Sequence, residues 1–187
     1  MVFSIISRIV NGVKEGVKAG LQGVSDTSNA VIDVVKNTTV TLVKGTGEVV
    51  SKGIEVAGSV VKGAIFGISD IGTSVIGAIK GIVMGTINGI MEAGGRQDQA
   101  IQGAVAQSIH SAKELGLDVG KTAVEAVGGS VEAVKKVGGN ATEATKQAVT
   151  AAVSAAKDIS DETVTAVKDA LSTSVEGAKD IIDALKK

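Results

Sequence analysis

The chain has 187 residues, a formal net charge of −1 and no cysteine, which excludes disulfides, thiolate chemistry and a strongly basic nucleic-acid surface. Two phenylalanines are the whole aromatic complement and there is no proline, so apolar character comes from Val, Ile and Ala and no strong helix breaker is present. The 25 glycines each cost a helix interior about 1 kcal/mol relative to alanine; helices in this chain need a surface or a partner to form fully.

Residues 1–23 open with Val2, Phe3, Ile5, Ile6, Ile9 and Val10, the strongest local apolar anchor. The start lacks the basic stretch of a secretory signal and a myristoylation glycine, and no stretch of about 20 uncharged apolar residues offers a simple membrane span. The expectation is an intracellular protein peripheral to a membrane, droplet or granule surface.

From Val13 the sequence reads VKEGVKAGLQG, and units of eleven return in that register along the chain: VKNTTVTLVKG from Val35, IKGIVMGTING from Ile79, AKELGLDVGKT from Ala112, VKDALSTSVEG from Val167. The 187 residues hold seventeen such units. Eleven residues in three turns is about 3.67 per turn, close to the α-helix, and predicts helix throughout. With Val13 as position one, positions one, four, five, eight and nine fall in an arc about 130° wide. That arc carries Val13, Val17, Leu21, Ile54, Ile65, Ile68, Ile76, Ile79, Val83, Ile87, Ile90, Val105, Ile109, Val131, Val164, Leu171 and Val175. With Val2, Phe3 and Ile6 these residues are expected to face a lipid surface or a partner.

Position two, on one border, holds Lys14, Lys36, Lys80, Lys113, Lys135, Lys146, Lys157, Lys168 and Lys179, placed as interfacial lysines. Position three, opposite the arc, is acidic: Glu15, Asp26, Glu48, Asp70, Glu92 and onward to Asp180. Position eleven, on the other border, is mostly Gly or Ala.

Residues 24–56 keep the repeat but are rich in Val and Thr, which weakens helix propensity and raises strand propensity. Residues 57–91 are the most apolar. Gly77, Gly81, Gly85 and Gly89 recur four apart there, and with Gly67 and Ala78 they predict an edge where another helix approaches closely. Residues 92–99, EAGGRQDQ, break the pattern: Gly94-Gly95 removes helix stability while Gln97 and Asp98 occupy arc positions. This is the central unit, and it predicts a hinge. The division is a Val/Ile/Gly-rich helical half over 1–91, the hinge over 92–99, and an Ala-rich, more charged helical half over 100–187. The predicted fold is all-α, long amphipathic helices folded back as a hairpin.

No residue pair stands out for chemistry. Charges recur as rows, which reads as a solvated face. The single His110 falls on the polar back, and no second histidine lies at helical spacing, so no metal site is expected. GTGE at 45–48 lacks the ending of a phosphate loop. The expectation is a non-enzyme without cofactor or metal.

The stretch VKEGV at 13–17 resembles the KTKEGV core of the synuclein eleven-residue repeat through Lys14, Glu15, Gly16 and Val17. VKDAL at 167–171 and AKDI at 156–159 and 178–181 are more loosely similar to the helices of perilipins and exchangeable apolipoproteins. The resemblance implies helices lying on lipid with lysines at the interface. The leading expectation is a coat on an anionic or poorly packed lipid surface. The alternative is a self-associating structural protein, a bundle, tube or filament, built through the same apolar face and the Gly/Ala edge. A mean hydropathy of +0.33 disfavours a hydrated stress-protection protein, and the lack of a threonine row disfavours ice binding.

Overall fold

The computed structural model describes residues 2–24, 27–44, 47 and 51–186, the first few and residues 27 and 28 by backbone only. All secondary structure among them is helical: α1 Val2–Leu21, α2 Thr27–Val43, α3 Gly53–Asp70, α4 Val75–Glu92, α5 Gln97–Glu114, α6 Val119–Lys136, α7 Ala141–Lys157, α8 Asp161–Ser174 and α9 Ala178–Ala184. Even the Val- and Thr-rich α2 is a helix. Its buried Thr39 sits inside the fold with its hydroxyl donating to the Val35 carbonyl at 2.6 Å, so tertiary burial overrides its propensity.

From α3 onward, helix starts at 53, 75, 97, 119 and 141 recur every 22 residues, twice the sequence unit. The reason is a repeated turn. Gly72, Gly94, Gly116 and Gly138 all have positive φ, where an L side chain is strained and glycine is not. Each sits one residue past a helix C-cap. Around Gly72, the Thr73 amide donates to the Ile68 carbonyl and the Gly72 amide to the Ser69 carbonyl. The same two bonds recur around Gly94, Gly116 and Gly138. These are Schellman motifs, which satisfy the last carbonyls of each helix. Two residues after the glycine comes the next N-cap. Ser74, Asp118 and Asn140 accept from the backbone amides of Gly77, Lys121 and Glu143, while Arg96 makes no side-chain cap.

Apart from α2 and α3, which barely touch, successive helices pack on one another, and the first pair runs antiparallel. Gly12, Gly16 and Gly20 of α1 face Leu42, Thr38 and Val34 of α2, one index rising as the other falls. Each helix also packs on the second one along: α1 on α3, α2 on α4, and so on to α7 on α9. These pairs run parallel, since Gly63 and Gly67 of α3 meet Val10 and Lys14 of α1 in rising order. The odd helices therefore form one layer and the even helices another, with the apolar core between and within them. This is a two-layer helical stack in which each unit touches mainly its neighbours.

The expected architecture of two long helices about one central hinge differs from this. Gly94 does lie in a turn, between α4 and α5, but the same turn occurs at Gly72, Gly116 and Gly138, so the middle of the chain is one reversal among several. α2 packs on α1 and α4, whereas α8 packs on α6, α7 and α9, so the two halves do not lie alongside one another. The cause is local: each of these glycines caps its helix through the same two backbone bonds.

Candidate functional site

The apolar arc lies mostly inside the protein. Val13, Val17, Ile65, Ile68, Ile79, Val83, Ile87, Ile90, Val105, Ile109 and Leu171 have no exposed surface, and Leu21 is buried as well. Ile6, Ile76, Val131, Val164 and Val175 are half-buried and Ile54 is exposed. The side chains of Val2 and Phe3 lie outside the described residues, as do Asp26 and Glu48. Position nine separates by alternate units as far as Ile109; beyond it Val131 and Val175, in the buried phase, are only half-buried. Leu21, Val43, Ile65, Ile87, Ile109 and Val153 are buried, while Val10, Ile32, Ile54, Ile76 and Val164 are not. Units equivalent in sequence are thus inequivalent in space, because every second one contains a turn.

The lysine row divides too. Lys14 of α1 pairs with Asp70 of α3 at 2.9 Å, Lys36 of α2 with Glu92 of α4 at 2.8 Å, and Lys80 of α4 with Glu132 of α6. Lys62 and Glu114 add a pair between α3 and α5 at 3.6 Å. A lysine on one helix thus meets an acid on the next helix of its layer, tying four neighbouring pairs side by side. The Lys14 ammonium beside Asp70 holds that carboxyl below its ordinary range, and Asp70 raises Lys14 in turn. Lys36 lowers Glu92 in the same way. These side chains keep between 31% and 53% of their surface in contact with solvent, so each pair is screened and worth little in stability. Lys113, Lys135, Lys146, Lys157 and Lys179 are exposed and Lys168 is half-buried; none is in an ion pair among the described residues.

The small edge is partly a close-approach surface within the layers. A Cβ added at Gly67 would lie 2.9 Å from the Lys14 carbonyl oxygen, at Gly85 2.6 Å from that of Ile32, and at Gly89 2.7 Å from the Thr39 Cβ. Ala78 and Gly81 are buried in α4, while Gly77 is exposed and meets only its own Ser74. The same role falls to Gly103 against Ile54 and to Gly129 against Lys80, neither of which the four-residue spacing singles out. At Gly94-Gly95 the turn is followed by Arg96 gripping Asp98 with two bonds at 2.7 and 3.1 Å, which lowers the Asp98 carboxyl.

A cavity of about 1000 Å³ forms a trough along α6. Its floor is Val124, Val127, Gly128 and Val131, with Val175 and Ile181 on the opposite wall. Glu132, Lys135, Glu176 and Asp180 edge it. It exists because the regular stacking stops there. Gly120 of α6 is covered by α8, a Cβ there meeting the Ala170 Cβ at 3.0 Å, and Gly129 is covered by α4 from the other side. Gly128 has nothing within 4 Å. The missing cover is the end of α8, which stops at Ser174; Val175 turns to extended backbone and Gly177 to positive φ. The α7–α8 turn has also lost the 22-residue register: Ser160, not a residue at 162, caps α8. A smaller groove of about 330 Å³ on the odd layer has Ile6, Val10 and Ile54 along one side and Ala106 along the other.

Among the described residues no group of three or more His, Asp or Glu is placed to hold a metal. Among the described residues one helix, Val75–Glu92, is long and apolar enough to cross a membrane, and 67% of it is buried within the fold. No family model, curated protein or solved structure matches the chain. The sequence carries a signal for these turns: a glycine stands at arc position five at 72, 94, 116 and 138, and a capping residue follows two places on at Ser74, Asp118 and Asn140.

Proposed function

We propose that this chain is a non-enzymatic structural protein, a helical-repeat scaffold that folds in water and offers its layer faces to partners. The observation carrying this reading is the complete burial of Ile65, Ile68, Ile79, Val83, Ile87 and Ile90 within one chain. An amphipathic helix needs a cover for its apolar face, and here the neighbouring helices supply it. The solvent faces of the first two helices carry Arg8, Asn11, Glu15, Asp33, Asn37 and Thr41, and α8 exposes Asp161, Glu162, Thr165 and Asp169. Polar terminal helices are what keep a repeat stack soluble and finite. On this reading the alternative of assembly by the apolar arc is met inside the monomer.

A second reading, a coat on a lipid surface, is favoured by a different observation. The arc runs at helical spacing from α1 to α8, and its core is aliphatic and glycine-rich, without large aromatic anchors. Unstacking would turn a continuous apolar face outward, with the lysine row at an anionic headgroup layer, as the synuclein-like units imply. Lys14, Lys36 and Lys80 would have to leave their acids first. The scaffold is the better supported of the two because it needs no rearrangement.

Circular dichroism and sedimentation, in buffer and with anionic vesicles, separate them. The scaffold predicts a fully helical monomer in buffer whose helicity and sedimentation do not change with vesicles. A largely unstructured chain in buffer that becomes helical on vesicles overturns it and supports the coat.

A further inference from the structure

We infer that the trough along α6 is a docking site for one short amphipathic helix of a partner polypeptide, apolar on one face and basic on one flank. The inference rests on the scaffold reading, since the trough exists only in the stacked fold. It starts from a vacancy. In the even layer, α4 lies against α2 on one side and α6 on the other, and α6 lies against α4. On its other side α6 is met by α8 at Gly120, where Ala166 and Ala170 close on it. Continuing that register brings residues just beyond Ser174 opposite Gly128. There the chain leaves the helix, at Val175, and Gly177 turns it away. The C-terminal half of α6 is thus left without the helix its position in the layer calls for, and an opening of that shape is complementary to a helix.

The dimensions and chemistry agree. From Val124 to Lys135, α6 runs about 16 Å at 1.5 Å per residue, the length of three helical turns. The floor residues Val124, Gly128 and Val131 recur at three- and four-residue spacing, the spacing with which the apolar side chains of a docked helix interlock. Gly128 lets the partner's backbone come close. The charges at the rim select the flank. Glu132 is already neutralised by Lys80. Glu176 and Asp180, on the α8–α9 wall, have no ion pair among the described residues, and Lys135 is the single cation at the edge. The α8–α9 side is therefore acidic, and a helix with lysine or arginine along that flank is the complement.

The test uses the full chain and a fluorescently labelled 14-residue helical peptide, with leucines at i, i+3, i+4 and i+7 and lysines on one flank. A scrambled peptide of the same composition and a version with glutamate for each lysine serve as probes of amphipathicity and charge. Anisotropy should show saturable binding of the first peptide only. Gly128→Leu fills the trough at an open helical position and should abolish binding with helicity by circular dichroism retained. Glu176→Lys with Asp180→Lys, both exposed, should weaken binding by at least about tenfold at low salt, a difference that shrinks as salt rises. Three results overturn the proposal: no binding to a protein shown by sedimentation and circular dichroism to be a folded monomer, equal binding of the scrambled peptide, or undiminished binding by folded Gly128→Leu. A chain that is unfolded in buffer fails the scaffold reading instead, and the sedimentation and dichroism measurements identify that case.

Discussion

At the scale of single residues, glycine has three separate jobs in this protein, and its cost in helix propensity is offset differently in each. Gly85 lies where the backbone of α2 passes, and an added Cβ would be 2.6 Å from the Ile32 carbonyl oxygen and 2.9 Å from the Val35 Cβ. Gly128 lies in the middle of α6 beside open space. Alanine at the two positions should act in opposite directions. Gly85→Ala forces two helices apart and should destabilise by about 1–3 kcal/mol. Gly128→Ala gains helix propensity and should stabilise by about 0.5–1 kcal/mol. Urea denaturation midpoints measure both, and equal effects of one sign would show that the glycines are only compositional. The buried hydroxyls are managed more simply: Thr86, Ser108 and Ser130 donate to the carbonyl four residues back, which satisfies them without a partner helix.

At the scale of elements, the third job of glycine sets helix length. Gly116 has φ of +68 and no atom within 4 Å of an added Cβ, so Gly116→Ala tests backbone strain and nothing else. It should cost about 1–2 kcal/mol; a neutral result in the same urea titration would mean that the Schellman turn does not require left-handed geometry. The helical character and its apolar face were legible in the sequence, because burial follows the 3.6-residue period whatever covers the face. Of the four glycine turns only the one at Gly94 was legible, since an eleven-residue period is satisfied equally by a straight helix and by one that reverses every second unit. What decides is the glycine at position five of alternate units, which occupies an arc position and resembles a mere weak point. Two Gly-Gly doublets show why composition could not settle it. Gly138-Gly139 forms a turn, whereas Gly128-Gly129 stays in mid-helix with one glycine packed and the other facing the trough. The trough itself depends on where α8 leaves the stacking register, a property of the packed chain that no single stretch encodes.

At the scale of the whole molecule, the fold converts a linear amphipathic pattern into a stack that covers its own apolar face. A parallel neighbour lies about 50 residues away in sequence, so the lysine-to-acid pairs are also markers of stacking. The alternative state, a long helix spread on lipid, has nearly the same helical content and differs in these distances. The central claim is that the stack is the working state, and the absence of native cysteine allows two spin labels to be attached cleanly at Lys62 and Glu114. Their side chains meet at 3.6 Å between α3 and α5. Labels there should report a distance on the order of 10–20 Å, given an interaxial spacing of about 8–10 Å plus label reach, in buffer and unchanged with anionic vesicles. A continuous helix on the vesicle surface would place the same positions roughly 80 Å apart at 1.5 Å per residue, and that distance would contradict the account.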